Sequence, residues 1–260
     1  DLWLKPGAVP QYYPVTHTTF WIEYHLWGLR PLGYHLDNIL LHAASVVMLW
    51  IVLRKLSMPG AWLIAAIFAV HPIEVESVAW ITERKNVLSG FFYFAALLAY
   101  CRSGFESGVS GLGKEHDLCD PSISSNPPNT RIPIYLLSLV LFACSLLSKS
   151  VSASLPAVIL LLIWWKHGRI KWRDVLPLIP MFVMGLIMGA VTSYMERTYV
   201  GAVGKDWDLS IAQRVLIAGR AIWFYVWKIV WPAKLIFIYP KWSIDAGAVW
   251  QWIWPAAALL

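Results

Sequence analysis

Residues 34–53, YHLDNILLHAASVVMLWIVL, decide the fold of this chain because they are almost continuously apolar and lead directly into Arg54 and Lys55. A helix needs about 20 mainly apolar residues to cross the hydrocarbon core of a bilayer, and this stretch has that length. Basic residues at the end of an apolar run are typical of the point where a helix leaves the membrane. We therefore predict a transmembrane helix here.

The composition extends this prediction to the whole chain. Hydrophobic residues make up 58% of the 260 residues and charged residues 14%, and the mean hydropathy is +0.58. An ordinary soluble domain has about 25% charged residues, so a soluble core would not absorb this much apolar surface. The length leaves room for about seven crossings. We predict an all-α, polytopic bundle of about seven spans with additional interfacial helices.

The net charge of +6 does not indicate a nucleic-acid partner. Lys and Arg residues lie at the ends of apolar runs and form no basic stripe interleaved with stacking aromatic residues. The 17 Trp and 11 Tyr residues suit the headgroup level of a bilayer. We expect membrane lipids, and no nucleic acid, among the partners.

The remaining chain alternates between apolar segments and polar breaks. We predict an external segment with an interfacial helix over 1–33, a transmembrane bundle over 34–260, and a flexible loop insertion over 103–131, which is rich in Gly, Ser, Pro and Asn. The further apolar segments of the bundle are 61–70, 90–100, 133–147, 153–165, 175–194, 211–231 and the start of another at 246–260.

Positive charge in short loops indicates the orientation. If Arg54, Lys55 and the basic loop 166–173 are cytoplasmic, the alternate loops are external, namely the N-terminal segment, 71–89, 148–151 and 196–210. We expect these external loops to gather on one surface. Segment 211–231 carries three cations, and either crossing or re-entry fits its pattern.

The most polar passage is HPIEVESVAWITERKN, residues 71–86, which follows a short apolar helix. It holds His71, the acids Glu74, Glu76 and Glu83, and the cations Arg84 and Lys85. Ionisable residues at membrane depth are costly, so they line a cavity or pair with one another. The simpler alternative is an interfacial amphipathic helix with mutual neutralisation, in which Arg84 pairs with Glu83 or Glu76.

This passage and its continuation to Gly90 resemble the membrane domain of the TMTC (transmembrane and tetratricopeptide repeat) proteins, which are protein O-mannosyltransferase-like, and of their bacterial relatives. Further matching motifs occur in the same order: YYP at 12–14, WGLRPLGYH at 27–35, NILLH at 38–42, LLSK at 146–149, WP at 231–232 and YP at 239–240. The resemblance covers nearly the whole chain.

The resemblance implies a GT-C superfamily architecture that transfers a sugar from a polyprenyl-phosphate carrier to a protein or other hydroxyl acceptor on the external face. Such chemistry needs a carboxylate base near the acceptor and cations that hold the departing phosphate. The catalytic candidates are Glu74 and Glu76. We expect phosphate contacts from Arg84, Lys85, Arg220 and Lys149, and a site lined by His71, Glu83 and Tyr13. A buried carboxylate is the alternative partner for Arg220.

The chain departs from the GT-C pattern at its start. In those enzymes the catalytic acid lies in the first external loop, and we expect this sequence to begin after that point and to end before the C-terminal repeats. We expect a fragment of a longer polypeptide. The alternative function is a non-catalytic, structural or accessory membrane subunit of a larger complex. The bacterial cytoplasmic membrane is preferred to the endoplasmic reticulum.

Histidines and cysteines offer no clear metal or cofactor site. His35 and His42 share one helical face, which raises the alternative of a haem ligand pair, but a polar contact between helices is more ordinary. Cys101, Cys119 and Cys144 show no zinc-ligand spacing. No metal is assigned, and a need for a divalent metal is left open.

Overall fold

The computed structural model of the protein describes residues 11–103, 128–201, 208–233 and 238–258, with the isolated residues Trp3, Val9, Gly204, Leu235 and Ile236. Every regular element within these ranges is helical and none is a strand. The predicted all-α class is therefore confirmed for the described residues. The loop insertion predicted over 103–131 lies largely outside them, although helix has resumed by Pro128.

The chain forms two compact units, Asp1–Val200 and Gly201–Leu260. In chain order the helices of the first unit are α1 (Pro14–Trp27), α2 (Pro31–Lys55), α3 (Ala61–Val70), α4 (Val75–Ala79), α5 (Arg84–Ser103), α6 (Pro128–Ser148), α7 (Leu155–His167), α8 (Trp172–Val175) and α9 (Ile179–Met195). Short 3₁₀ turns join several of them, at Pro72–Glu74, Ile81–Glu83, Ser150–Ser154 and Leu176–Leu178, and a π turn follows at Glu196–Val200.

Proline and glycine set the helix boundaries near the polar passage. Pro31 opens α2, where its fixed φ and missing N–H suit the first helical position. Gly60 precedes α3 with a φ of +71°, a left-handed conformation that glycine adopts at little cost. His71 ends α3 in an extended conformation because the residue before a proline is disfavoured in the α region. The chain consequently bends by 45° between Ala61–Val70 and Pro72–Ala79.

The core of the first unit lies where α5 packs along α6 and α2, and the 3₁₀ turn Ser150–Ser154, α7 and α9 close it. Ala96, Phe142, Leu155, Ile159 and Met181 are fully buried there. Between helices in a bilayer, close van der Waals packing and interhelical hydrogen bonds supply the stabilisation. These side chains therefore fix how the helices that carry the polar passage meet.

Four helical stretches of the described chain are long and apolar enough to cross a membrane: Pro31–Lys55, Arg131–Ser148, Ser150–His167 and Trp172–Val200. The bent pair Ala61–Val70 and Pro72–Ala79 brings the number to five if it forms one span. The described residues thus hold four or five candidate spans, and the count of about seven stays a prediction. The GT-C arrangement stays a prediction.

The second unit contains α10 (Ile211–Val230), the 3₁₀ turn Val249–Trp252 and α11 (Ile253–Ala258). Ser210 starts α10 with a capping box, since its hydroxyl accepts from the Gln213 N–H while the Gln213 side chain accepts from the Ser210 N–H. Helices α10 and α11 pack tightly, with Gly219 directly against Pro255.

Candidate functional site

A cavity of about 330 Å³, lined by polar, aromatic and aliphatic side chains, lies in the first unit beside the bend at His71. Two of the predicted site residues line it, the acid Glu74 and the cation Lys149. Its other polar and aromatic walls come from α2, α3, α4, α5 and the Ser150–Ser154 turn: His42, Ser45, Phe68, Ser77, Asn86, Ser89, Tyr93, Phe94, Ser152 and Ser154. The cavity therefore combines a carboxylate, an amine, an imidazole, an amide, hydroxyls and aromatic rings.

Asn86 connects the polar passage to the cavity. Its Nδ2 donates to Ser77 Oγ at 3.0 Å and to Glu83 Oε2 at 2.9 Å, and its Oδ1 accepts a hydrogen bond from Lys149 Nζ. Lys85 Nζ pairs with the other oxygen of Glu83 at 3.1 Å. A continuous chain of polar contacts thus runs from Lys85 to the Lys149 amine.

Lys149 is held between two helices by its backbone. It is extended, with φ −160° and ψ 126°, directly after α6 and before the Ser150–Ser154 turn. Burial lowers the pKa of its amine below the ordinary value of 10.5, and Lys85 acts in the same direction, whereas Glu83 and Glu76 act to raise it. A partly desolvated amine of this kind binds an anion more strongly than one in water.

Glu74 and Glu76 lie on different sides of their segment. Glu74 is half-buried and lines the cavity, whereas Glu76 is exposed. His71 caps the turn, since its Nδ1 accepts from the Ile73 N–H at 3.2 Å. Of the two catalytic candidates, the geometry favours Glu74.

The predicted external loops meet at one end of the first unit. Tyr13, half-buried at the start of α1, has its pKa raised by burial and then by the negative charges of Glu196 and Glu83. The hydroxyl of Thr16 donates to the Ser148 carbonyl at 3.2 Å. The structure therefore brings together the N-terminal segment, the polar passage, the turn after α6 and the turn after α9.

The two basic loops meet elsewhere. Lys166, in the last turn of α7, donates to the carbonyl of Leu56, which follows Arg54 and Lys55. Helix α7 leads away from the Ser150–Ser154 turn, which Lys149 precedes, so the basic loops lie at the opposite end of α7. This separation matches the charge distribution from which the orientation was predicted.

Arg84 does not line the cavity. It is 1% exposed and ion-paired with Glu23 of α1, which is 6% exposed. Its Nε donates to Asn38 Oδ1 and its Nη2 to the Tyr34 carbonyl at 2.8 Å, and the guanidinium lies 5.4 Å from the centre of the Phe20 ring.

Protein acceptors surround the Arg84 guanidinium, so it is closed to a lipid phosphate in this structure. The alternative pairing with Glu83 or Glu76 is wrong, because Glu23 takes that place and Glu83 binds Lys85 instead. A sequence-local search misses this partner, since Glu23 lies 61 residues before Arg84.

Arg220 belongs to the second unit and contacts the Trp242 ring, with 4.6 Å between the guanidinium carbon and the ring centre. The carboxylate partner considered for it is absent from the described residues.

His42 makes the interhelical contact expected of an isolated membrane histidine, with Nε2 at 3.2 Å from the Ala69 carbonyl and its ring 5.3 Å from that of Phe68. The described part of the chain contains no group of three or more His, Cys, Asp or Glu side chains arranged to hold a metal ion.

Sequence reasoning missed the small polar residues of the cavity. Asn86 ends the polar passage, yet no role was predicted for it. Ser89, Ser145 and Ser152 form a buried cluster, with Ser89 Oγ 2.5 Å and Ser145 Oγ 2.8 Å from Ser152 Oγ. A single serine in an apolar helix commonly forms a hydrogen bond with the backbone of its own helix. Only the structure, in which the three side chains meet, identifies these serines as a polar cluster.

The chain is similar in sequence to several proteins named Protein O-mannosyl-transferase. It is 40% identical to human TMTC3 over 108 residues, which cover 40% of this chain and 12% of that protein. It is 35% identical to Drosophila melanogaster Tmtc3 over 135 residues, covering 42% of this chain and 14% of that protein. The match to human TMTC1 is 32% identical over 168 residues, covering 62% of this chain and 18% of that protein.

The chain is related to the TMTC proteins. It spans less than a fifth of the length of these curated relatives. No protein-family model matches the chain, and no solved structure matches it significantly. The predicted resemblance is thereby confirmed over part of the chain, 40–62% of it in these three matches, while its extension to nearly the whole chain, membership of the GT-C superfamily and a bacterial origin stay predictions.

Proposed function

We propose that the chain forms part of a membrane glycosyltransferase that moves a sugar from a polyprenyl-phosphate carrier to a hydroxyl acceptor on the external face. One observation carries the proposal: Glu74 and Lys149 line the same cavity in a chain related to proteins named O-mannosyl-transferases. By this relationship the sugar is mannose and the acceptor a protein.

In the proposed step the acceptor oxygen attacks the anomeric carbon of the sugar as the bond from that carbon to the carrier phosphate breaks. The acceptor proton passes to the Glu74 carboxylate as general base. The departing phosphate takes the electron pair, and its negative charge is stabilised by Lys149. Lys85, which is ion-paired with Glu83, is proposed as a further phosphate contact, and Tyr13 as a residue that lines the site.

Three finer features complete the proposal. The end of the unit with Tyr13, Glu83 and Lys149 is assigned to the external side because the basic loops lie at the opposite end of α7. The bacterial cytoplasmic membrane is assigned in preference to the endoplasmic reticulum. Arg84 is left out of the phosphate contacts because it is buried against Glu23.

The test is mannosyl transfer from a polyprenyl-phosphate donor by the complete gene product in proteoliposomes. We expect Glu74→Gln to lower kcat by about 10²–10⁴-fold, and Lys149→Gln to lower kcat/KM through the lost phosphate contact. Glu76→Gln should retain far more activity than Glu74→Gln, because Glu76 is exposed. Asp174→Asn and Arg169→Gln, at the basic loop, are matched charge controls.

Full activity of Glu74→Gln would show that Glu74 is not the general base. Full activity of Lys149→Gln would show that Lys149 does not stabilise the phosphate. If both variants keep wild-type transfer activity, the cavity is not the active site, and the alternative function as a non-catalytic accessory subunit is favoured. Size-exclusion profiles of every variant establish that the fold is kept.

A further inference from the structure

The second unit contains an apolar cavity of about 480 Å³. Its walls are Arg220, Trp223, Phe224, Val226, Trp227 and Val230 of α10, and Trp254. Trp223 Nε1 donates to the Trp254 carbonyl at 3.2 Å. Close packing of Gly219 against Pro255 places Trp254 beside α10. The wall formed by α10 and the wall formed by Trp254 are therefore held together by contacts within the unit.

Arg220 is the only charged group among the described residues that line this cavity. It is half-buried, and its recorded contact is with the face of the Trp242 ring. A cation–π contact leaves the N–H donors of the guanidinium without acceptors. Among the described residues no carboxylate pairs with it, and a cation in apolar surroundings favours an anionic partner strongly.

Most of the lining residues lie along one side of α10. Arg220, Trp223, Phe224, Trp227 and Val230 follow the i, i+3, i+4, i+7, i+10 pattern, which places them in one stripe on the helix. With a rise of 1.5 Å per residue, the stripe extends about 15 Å from Arg220 to Val230. Arg220 therefore stands at one end of the stripe and Val230 at the other.

We propose that the second unit binds an anionic phospholipid of the surrounding bilayer, with its phosphate on Arg220 and one acyl chain along the stripe to Val230. Arginine recognises phosphate oxygens through its fork of N–H donors. The described lining offers no carboxylate, amide or hydroxyl that would hold a sugar, so a plain phospholipid fits better than a lipid-linked sugar. This site is independent of the transfer reaction proposed for the first unit.

The test measures lipid binding to the purified complete gene product in detergent by native mass spectrometry. Phosphatidylglycerol and phosphatidylcholine with identical acyl chains are supplied at equal concentration. We expect retention of phosphatidylglycerol on the wild type. Arg220→Gln should weaken it by about tenfold or more, because a charge-assisted hydrogen bond is lost.

Matched variants separate the head and chain contributions. Arg214→Gln removes the same charge from the same helix outside the cavity and should retain phosphatidylglycerol. Arg220→Lys keeps the charge and should bind better than Arg220→Gln. Val230→Trp fills the apolar end and should also weaken binding, with Arg220 intact. Circular dichroism and elution volume verify that each variant is folded.

Four results would overturn the proposal. These are equal retention of the two phospholipids, unchanged binding by folded Arg220→Gln, full competition by inorganic phosphate alone, or binding of a polyprenyl phosphate without binding of phosphatidylglycerol.

Discussion

Arg84, at the start of α5, is ion-paired with Glu23 of α1, and both side chains are almost completely buried. Burial lowers the pKa of the guanidinium to about 10. The pair joins the segment before the bundle to the polar passage, so it stabilises the scaffold around the candidate site without lining the cavity itself.

Removal of the Glu23 charge should destabilise the first unit severely. Glu23→Gln leaves the Arg84 guanidinium buried without its carboxylate, and we expect a loss of about 3–5 kcal/mol in the free energy of unfolding. Denaturant titration in detergent measures it. The double variant Glu23→Leu, Arg84→Met should recover much of the loss, because an apolar pair can replace a buried ion pair. If Glu76→Gln, at an exposed position, lost as much unfolding free energy as Glu23→Gln, the stabilising role of the buried Glu23–Arg84 pair would be contradicted.

Asn38 should be essential for the position of the polar passage. It is fully buried, its Nδ2 donates to the carbonyls of Val78 at 3.2 Å and Trp80 at 3.0 Å, and its Oδ1 accepts from Arg84. Asn38→Leu leaves these groups unsatisfied, at about 1–3 kcal/mol each. We expect faster hydrogen exchange at the amides after Val78. Ser45→Ala, which loses only a bond within its own helix, should leave exchange there unchanged.

Lys149 should give the protein a pH-dependent stability. Because its folded pKa lies below 10.5, the unfolded chain binds more protons between the two values, and stability rises as pH increases through that window. Burial causes the shift, Lys85 adds to it, and Glu83 and Glu76 oppose it. The difference in unfolding free energy between the wild type and Lys149→Met should therefore grow with pH there. If the unfolding free energies of the wild type and Lys149→Met change equally with pH, the pKa of Lys149 is not lowered by folding.

Activity should change in the opposite sense, since only protonated Lys149 stabilises a phosphate. Transfer is expected to fall as pH rises through the lowered pKa. Lys149→Arg should move that fall to higher pH, because the arginine guanidinium stays protonated. If the activity of Lys149→Arg falls at the same pH as that of the wild type, the titration of another group causes the decrease.

Gly219 should tolerate no side chain. A Cβ at this position would lie 2.5 Å from the Pro255 Cα and backbone nitrogen, and overpacking of this kind costs about 1–3 kcal/mol. We expect Gly219→Ala to lower the unfolding free energy and to expose 253–258 to proteolysis. Gly189→Ala in α9 is the control, since nothing lies within 4 Å of its added Cβ. Equal effects of the two substitutions would contradict the close packing.

The sequence predicted the helices well because apolar length and Pro or Gly breaks are local signals. Segment 61–70 matches α3 at both ends, and 34–53 falls within α2. The Glu23 partner of Arg84 and the serine cluster on Ser152 escaped prediction, since these contacts join residues far apart in the chain. Of the candidate site, the sequence indicated Glu74 and Lys149 but gave no means to place them in one cavity.

The long separation between Glu23 and Arg84 has a consequence for biosynthesis. Glu23 leaves the ribosome 61 residues before the arginine that neutralises it, so α1 meets the lipid boundary with an uncompensated acid. The acid remains near water until α5 is made. Helix α1 therefore gains the buried counter-ion of Glu23 only when α5 has been made.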